Sequence, residues 1–484
     1  MGSAIEGLKH AHVWKYFAEV ARITRSSKHE ARITKYVLDT AKKLGLEAKA
    51  DKLGNVVVRK PASPGREKAR SVCLQGHLDM VCEKNKDKVH DFAKDPIELV
   101  RKGNFLTANG TTLGADNGIG VAASLAIMED KSLVHGPLEF LFTIDEETGL
   151  TGAGGLDGSM LRSRTMMNLD SEEEGALYVG CSGGKDTTGI WKAAFDAAPR
   201  GAVAAHLTVT GLKGGHSGLE IHQGRGNAIK ILNRALLALE AHGARLSTIE
   251  GGNKRNAIPR EAEAIVYFPP KAWADAEKTV TDFNALVKAE VATVDPDLRV
   301  LIAPHKGKKG KVLKKALQKK LLQTVSALPH GVIKMSADIP GLVETSTNVA
   351  VLTTTAREIS LATSQRSSVD SEIREIAHTV ASIFAMGGAA VKQGDGYPGW
   401  KPNLNSPILK LAKSTYQQLT GKEPAVKAIH AGLECGIIGE KVPGMDMVSF
   451  GPTLEAVHSP DERIHIDTVE RFWDYLMAIL KNVN

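Results

Sequence analysis

The sequence predicts an α/β fold with a mostly parallel sheet, interrupted in the chain by an inserted α+β domain. Three observations predict it. Strand and helix patterns alternate near both ends of the chain, whereas the middle of the chain has a different pattern of strands and helices. A glycine-rich or turn-rich stretch lies at each of the two boundaries. Strands that alternate with helices usually form a parallel sheet. At 484 residues the chain is also too long for one core.

The first third of the chain alternates between helical and strand-like patterns. Apolar residues recur at helical spacing in some segments and form short runs in others. In chain order these predict helices at 9–23 and 28–44, strands at 54–59 and 71–75, a helix opening at Asp116 or Asn117, and strands at 138–144 and 165–169.

The pattern of predicted strands and helices changes after the glycine-rich stretch 181–189. The α/β pattern returns after the turn-rich stretch 393–403. Between these stretches the predicted elements are a strand at 205–212, a helix at 224–242, a strand at 262–268, a helix at 271–292, a strand at 298–303, a basic helix, strands through 349–362 and a helix at 370–386. The chain ends on a helix predicted at 467–481. We therefore expect a split α/β domain at 1–184 and 396–484, with the α+β domain inserted at 185–395.

The net charge of +7 is local in origin. Eight lysines and no acidic residue lie in 304–320, and the rest of the chain is close to neutral. Apolar residues fall at helical spacing beneath these lysines, namely Val312, Leu313, Ala316, Leu317 and Leu321. This pattern favours a solvated helix face over a polyanion site, and no aromatic residue is interleaved for base stacking.

The sequence favours a cytoplasmic protein without a membrane span. No window reaches 18 consecutive apolar residues, and the first residues lack the basic head and apolar middle of a signal peptide. The four cysteines form no CxxC pair, which is typical of reduced thiols rather than of a disulfide framework or a cysteine zinc site. We expect no membrane and no nucleic acid among its partners.

Histidines and carboxylates follow several predicted strands of the α/β domain. His77 and Asp79 end one strand, Asp145–Glu147 end the apolar run LEFLFT, and Asp170 ends MMNL. In parallel sheets, ligands gather beyond the carboxyl ends of the strands. Asp79 could orient the ring of His77, because a metal-binding histidine usually has its other nitrogen held by a carboxylate or carbonyl.

Each of these residues also has an ordinary interpretation when it is taken alone. The HxD pair could be a surface pair, Asp116 could cap a helix, and His458 could be an ordinary loop histidine. Together they form a mixed nitrogen and oxygen set that suits zinc or a similar divalent ion.

Six segments resemble one peptidase family in order and over essentially the full chain: HLDMV, LGADNGIG, IDEETG, NLDSEEEG, GGHSG and SFGPTLEAVHSP. They are similar to the aminoacyl-histidine dipeptidases, also called Xaa-His or β-alanyl-histidine dipeptidases. These belong to the wider di-zinc family that holds carboxypeptidase G, aminoacylase and carnosinase. The resemblance implies a di-zinc catalytic domain, split in sequence, with the insertion as a lid.

The resemblance also implies a ligand set and a mechanism. Asp116 would bridge two divalent ions, zinc first, with manganese or cobalt as substitutes. One ion would add Glu147 and His458, and the other would add His77 and Asp170. Asp79 would stand behind His77, and Glu146 would be the general base that activates a water bridging the two ions.

Four further residues are implied to contact the substrate. His216 would be the lid residue that stabilises the oxyanion, in some relatives from a neighbouring subunit. Arg366 would bind the substrate carboxylate, since the fork of arginine suits it. Asn256 would be a polar contact, and Glu434 would meet the free amino terminus.

The implied function is metal-dependent hydrolysis of dipeptides, with a preference for Xaa-His and carnosine-like substrates and broader dipeptide tolerance, by a homodimer. A related di-zinc hydrolase acting on acyl-amino acids or tripeptides would share every ligand and differ in lid contacts. A non-catalytic binder on the same scaffold should have lost Glu146 or a ligand, and this sequence has lost none of them.

Overall fold

The computed structural model describes residues 3–307 and 310–484, which form two units. The first unit comprises the chain up to Cys181, Trp400–Ala428 and Leu433–Asn484, and the second comprises Ser182–Gly399 and Ile429–Gly432. The placement of 429–432 differs from the sequence prediction, which assigned it to the α/β domain. The N–H of Ser182 donates to the carbonyls of Ile429 and Ala431, and these bonds tie the short segment to the second unit.

The first unit begins with alternating helices and strands, as the sequence predicts. Its first segment contains helices α1 (Ala11–Ala21), α2 (Ala31–Lys43), α3 (Ala115–Glu129) and α4 (Thr151–Gly154), and strands β1 (Glu47–Ala50), β2 (Val56–Lys60), β3 (Val72–His77), β4 (Leu99–Lys102), β5 (Phe105–Ala108), β6 (Leu138–Thr143), β7 (Thr165–Asn168) and β8 (Ala176–Cys181).

The second unit follows with strands β9 to β21 and helices α5 to α8. Its strands are β9 (Gly183–Lys192), β10 (Phe195–Ala197), β11 (Val203–Thr210), β12 (Gly215–His216), β13 (Arg245–Gly251), β14 (Ala257–Ile258), β15 (Ala262–Phe268), β16 (Arg299–Pro304), β17 (Lys311–Leu313), β18 (Gly331–Met335), β19 (Val343–Thr354), β20 (Glu358–Ser367) and β21 (Ala390–Gln393). Its helices are α5 (Ala228–Leu239), α6 (Trp273–Glu290), α7 (Lys315–Ala327) and α8 (Asp370–Met386).

The chain then returns to the first unit, apart from Ile429–Gly432, which belong to the second. This last segment contains helices α9 (Pro407–Thr420), α10 (Glu434–Lys441) and α11 (Ile466–Asn482), and strands β22 (Ala425–Ile429), β23 (Asp446–Ser449), β24 (Leu454–Glu455) and β25 (Arg463–His465).

An eight-stranded sheet forms the centre of the first unit, in the order β1-β2-β6-β3-β7-β23-β8-β22. The neighbours β6, β3, β7 and β23 run parallel to one another. Buried side chains such as Leu74, Phe140 and Phe142 lie along these central strands, because a sheet covered on both faces buries both sets of side chains. The predicted α/β class with a mostly parallel sheet is confirmed.

The second unit is built on a nine-stranded sheet whose strand pairs are antiparallel. Alternate residues of β11, such as Ala205, Leu207 and Val209, are fully buried, while the residues between them are partly exposed. One sheet face therefore packs against the helices of this unit, which is the expected pattern for a half-covered antiparallel sheet.

The lysine-rich segment differs from the predicted continuous helix. Val312 and Leu313 belong to strand β17, which pairs with β10 and buries both side chains, and the helix begins only at Lys315. Lys319 and Lys320 on that helix are exposed, as predicted. Residues 308 and 309 of this segment lie outside the described residues. Among the described residues, no helix is long and apolar enough to cross a membrane.

The parallel strands bring the predicted polar residues to one edge of the sheet. His77 is the last residue of β3, residues 145–147 follow β6, and Asp170 follows β7 by two positions. Because β6, β3 and β7 are adjacent and parallel, their carboxyl ends lie side by side.

Candidate metal centre

The first group of candidate ligands consists of His77, Asp116 and Asp170. Nε2 of His77 lies 3.0 Å from Oδ1 of Asp116 and 3.3 Å from Oδ1 of Asp170. Nδ1 of the same ring lies 3.3 Å from Oδ1 of Asp79, so that Nε2 is the nitrogen left for the other two carboxylates. One imidazole nitrogen and two carboxylate oxygens form a set that could hold a zinc-like ion.

The second group consists of Asp116, Glu147 and His458, and it shares Asp116 with the first. Nε2 of His458 lies 3.0 Å from Oδ2 of Asp116 and 2.9 Å from Oε2 of Glu147. The two oxygens of Asp116 therefore face two different histidines. A carboxylate placed in this way can bridge two cations.

Two oxygens in these groups lack hydrogen-bond partners. Oε1 of Glu147 and Oδ1 of Asp170 are buried and accept no hydrogen bond. Buried polar atoms are almost always partnered in folded proteins, so each of these oxygens calls for an explanation. Together with the mixed nitrogen and oxygen donors, they fit two divalent ions at this edge of the sheet.

Charge crowding shifts the pKa of several groups at the centre. Hydrogen bonds to two carboxylates raise the pKa of His458 to about 11. Burial lowers the pKa of His77, but the neighbouring Asp170, Asp116 and Asp79 outweigh burial and raise it well above its usual range. Burial also raises the pKa of Asp170 to about 6. Cations bound among these carboxylates would relieve the repulsion.

Glu146 lies beside the candidate ligands and forms a close group with His77 and Glu147. Burial raises the pKa of Glu146 well above its usual range, and the nearby carboxylates oppose the lowering effect of His77. Its N–H donates to Oδ1 of Asp79 at 3.1 Å, which fixes the backbone at this position. A carboxylate with a raised pKa can accept a proton and return it.

Glu434, at the start of α10, is fully buried. Its Oε2 accepts hydrogen bonds from Nε2 of Gln75 at 2.6 Å and from the hydroxyl of Thr143 at 2.7 Å, while Oε1 has no partner. Burial raises the pKa of Glu434 to about 7. One oxygen of this carboxylate is thus fixed by the protein and the other is left for a ligand.

His216 lies in the glycine-rich loop of the second unit, at the end of β12. Its Nδ1 accepts hydrogen bonds from the N–H groups of Gly218 at 3.2 Å and Leu219 at 3.0 Å. Burial lowers the pKa of His216 to about 4, so that the ring is neutral near pH 7. Because Nδ1 accepts, the proton of the neutral ring lies on Nε2, which can donate.

Arg366 and Asn256 differ in their surroundings within the second unit. Arg366 is buried in β20 and its Nη1 donates to the hydroxyl of Tyr397 at 3.1 Å, while its Nε has no partner. Asn256 is exposed, and its carbonyl accepts from the N–H of Ser217 at 2.8 Å. Asn256 therefore contacts the loop that carries His216 through its backbone.

The sequence analysis did not predict a role for four residues around the centre: Gln75, Thr143, Arg25 and Glu462. Gln75 lies inside strand β3 and Thr143 is the last residue of strand β6, and each of these polar residues directly follows a buried apolar one. Glu462 lies in the EAVHSPDERI segment that carries His458. Its position four residues after a candidate ligand is the sequence feature that could have indicated a role at the site. Nothing in the sequence distinguishes Arg25 from other arginines.

Comparison with known proteins places these residues in a family context. The model of "Peptidase family M20/M25/M40" matches residues 73–482. The cytosol non-specific dipeptidase of Escherichia coli strain K12 is 42% identical over 482 residues, which cover 99% of each chain.

Solved structures include two relatives of different closeness. The crystal structure of aminoacylhistidine dipeptidase from Vibrio alginolyticus is 41% identical, with a TM-score of 0.92, and the match covers 100% of this chain and 98% of that one. An aminopeptidase of Bacillus cereus matches with a TM-score of 0.56 at 16% identity, over 98% of this chain and 99% of that chain. The second likeness shows the fold alone.

Proposed function

Because this chain belongs to peptidase family M20/M25/M40, we propose that it is a metal-dependent dipeptidase that prefers Xaa-His and carnosine-like substrates and tolerates other dipeptides. The Vibrio alginolyticus relative, named an aminoacylhistidine dipeptidase, supports the preference. The Escherichia coli relative, named a non-specific dipeptidase, supports the tolerance. Both similarities extend over nearly the whole chain, which disfavours the alternative substrates, acyl-amino acids and tripeptides.

The observation that carries the proposal is the position of Asp116, whose two oxygens lie 3.0 Å from the Nε2 atoms of His77 and His458. Asp116 would help to hold two divalent ions, one together with His77 and Asp170 and the other together with Glu147 and His458. Zinc is the proposed ion, with manganese or cobalt able to replace it. Two such ions, when bound, acidify a shared water and polarise the scissile carbonyl.

Glu146 is the proposed general base. Its carboxylate takes a proton from the attacking water and then gives a proton to the nitrogen of the leaving amine. Asp79 orients His77 through Nδ1 and holds the backbone of Glu146.

The remaining residues are proposed to bind the substrate. The neutral ring of His216 donates from Nε2 to the oxygen that becomes negative when the carbonyl is attacked. Arg366 binds the terminal carboxylate, and Asn256 adds a polar contact. The free oxygen of Glu434 accepts from the amino terminus of the dipeptide.

We further propose that the first unit is the catalytic domain and the second unit is the lid. The sequence boundaries at 184 and 395 remain our prediction for the two domains. A homodimer and a cytoplasmic location are proposed as well, the first from the family resemblance and the second from the Escherichia coli relative, which is named a cytosol dipeptidase.

A substrate and metal panel tests the function. Metal-free protein is loaded with Zn²⁺, Mn²⁺ or Co²⁺ and assayed on Xaa-His dipeptides, other dipeptides, tripeptides and acyl-amino acids. The proposal expects dipeptides to be the best substrates and Xaa-His to lead among them. Preferential cleavage of tripeptides or acyl-amino acids would contradict it.

The variant Glu146→Gln tests the proposed base in the same panel. It should keep both metal ions and lose roughly 10²- to 10⁴-fold in kcat, because the amide cannot take a proton. Glu423→Gln, an exposed carboxylate change, is the matched control and should keep full activity. Equal activity of Glu146→Gln and the control would remove Glu146 from this role.

A further inference from the structure

The segment that leads to Asp116 is held by a buried carboxylate. Glu462 is 2% exposed. Its Oε2 accepts from the N–H groups of Leu113 at 2.8 Å and Gly114 at 2.9 Å, and its Oε1 accepts from those of Ala115 at 2.8 Å and Asp116 at 3.4 Å. One side chain therefore binds four successive backbone N–H groups.

A buried guanidinium holds the same segment from its carbonyl side. Arg25 is also 2% exposed, and its Nη2 donates to the carbonyl of Gly114. Its Nη1 donates to the carbonyls of Leu78 at 3.0 Å and Asp79 at 2.6 Å. Arg25 thus connects the segment before Asp116 with the segment after His77.

Gly114 leaves room for the guanidinium. Its φ of +68° is in the left-handed region, and a Cβ at this position would lie 2.5 Å from Nη2 of Arg25 and 2.8 Å from the sulfur of Met80. A larger residue would displace Arg25 or the segment itself.

These contacts connect the three segments that carry His77, Asp116 and His458. Glu462 lies four positions after His458, and Arg25 reaches the backbone of Asp79. Without ions, carboxylates brought this close repel one another. Hydrogen bonds that Glu462 accepts from backbone N–H groups and that Arg25 donates to backbone carbonyls can keep the segments together against that repulsion.

We infer that Glu462 and Arg25 are positioning residues that hold segment 113–116 in its ion-receiving conformation before any ion binds. Their charged atoms bind backbone groups, and they act through the backbone of Asp116 and Asp79. The inference rests on the proposed metal pair at Asp116. Residues beyond the direct ligands commonly tune metal affinity in this way.

Metal titration of purified variants tests the inference. In Glu462→Gln an amide nitrogen, which cannot accept a hydrogen bond, replaces one of the two oxygens that accept from the backbone N–H groups. Arg25→Gln removes the guanidinium that donates to the backbone carbonyls. Both variants should bind Co²⁺ and Zn²⁺ roughly 10–100-fold more weakly than the wild type. Arg25→Lys should recover part of the loss. The controls are Asp461→Asn and Arg22→Gln, which change exposed neighbours of the same charge.

Two further readouts separate positioning from a general loss of stability. Excess metal should restore kcat of Glu462→Gln while KM for the dipeptide stays unchanged. Hydrogen exchange of a peptide covering residues 110–118 should be slow in the metal-free wild type and fast in metal-free Glu462→Gln. Variants that bind both ions with wild-type affinity would overturn the inference.

If the variants do not fold, hydrogen exchange of the wild type alone still tests the inference. Rapid exchange of 110–118 in metal-free wild-type protein would overturn the inference, and slow exchange would support it. If the wild type binds both ions but does not cleave dipeptides, the proposed function fails while the positioning role of Glu462 and Arg25 is still measured by affinity and exchange.

Discussion

The backbone N–H of Glu146 donates a 3.1 Å hydrogen bond to Oδ1 of Asp79. The N–H of Glu147 donates to Oδ2 of the same carboxylate at 3.2 Å, and Oδ1 also lies 3.3 Å from Nδ1 of His77. Asp79 is fully buried, and although burial raises its pKa, the hydrogen bond and charge of His77 outweigh this and lower the pKa to about 2. One ionised side chain thereby orients an imidazole and the turn that carries two glutamates.

The variant Asp79→Asn should weaken both metal binding and catalysis. An amide has one accepting oxygen, so that either the N–H of Glu147 or both the N–H of Glu146 and the ring of His77 would lose their acceptor. We expect metal affinity and kcat/KM to fall roughly 10–100-fold, measured by metal titration and steady-state kinetics. Asp39→Asn, an exposed carboxylate on α2 that pairs with Lys35, is the control. Wild-type affinity in Asp79→Asn would contradict the orienting role.

Removal of the ions by a chelator should abolish activity and lower the temperature of unfolding. Ions that bind only the folded protein stabilise it, by about 2.7 kcal/mol per site at a hundredfold excess over Kd. Scanning calorimetry with and without chelator measures the change, and readdition of Zn²⁺, Mn²⁺ or Co²⁺ should reverse it. Glu146→Gln should show the same thermal shift, because it keeps the proposed ligands. Identical unfolding temperatures with and without chelator would argue against a metal pair.

Local signals in the sequence could place His77 and Asp170 at one edge of the sheet, whereas the full ligand set was predicted from the family resemblance. His77 and Asp170 each end or follow an apolar strand, and strand ends of a parallel sheet meet at one edge. By contrast, Arg25 contacts the carbonyl of Leu78 across 53 positions and Glu462 contacts the N–H of Leu113 across 349. Nearly every residue offers the same backbone N–H and C=O groups. A side chain that binds the backbone therefore requires no particular residue type at the other end, and such a contact leaves no recognisable pattern in the sequence.

Predicted elements failed where tertiary pairing outweighed local spacing. Val312 and Leu313 have helical spacing with Leu317 and Leu321, yet β17 pairs them with β10. Sheet pairing buries both side chains, in place of the apolar helix face that their spacing predicted. The order of strands in the sheet could not be predicted from local patterns either. Strand β23 lies between β7 and β8 in the sheet, although in the chain it follows the whole second unit.

The variant Glu434→Gln should lower kcat/KM for dipeptides with a free amino terminus. The unpartnered Oε1 is the proposed acceptor for that ammonium group, and hydrogen bonds to charged groups contribute about 1.5–3 kcal/mol. We expect a loss of roughly tenfold or more on free dipeptides and a smaller loss on N-acetylated ones. Glu440→Gln, an exposed change on the same helix, is the control. Equal losses on both substrate classes would mean that Glu434 does not select the amino group.

The half-buried His330 in the second unit should make the stability of this protein depend on pH. Its Nδ1 accepts from the side-chain amide of Asn227 at 3.3 Å and from the N–H of Val349 at 3.4 Å. Burial, reinforced by the charge of Lys230, lowers the pKa of His330 from its ordinary 6.5 to about 4. Between these values the unfolded chain binds a proton that the folded protein excludes.

The contribution of His330 is therefore fully present above pH 6.5 and is lost as the pH falls toward 4. His330→Gln removes the titrating group, so the unfolding free energy of the wild type should fall more steeply over this range than that of the variant, by up to about one proton. Denaturant unfolding of metal-free protein at pH 7.5, 6.0 and 5.0 measures the difference without a contribution from metal binding, and the titration of the candidate ligands is common to the wild type and the variant. His378→Gln, an exposed histidine on α8, should follow the wild type. If His330→Gln and the wild type lose stability in parallel as the pH falls, the ring is not held neutral by the fold.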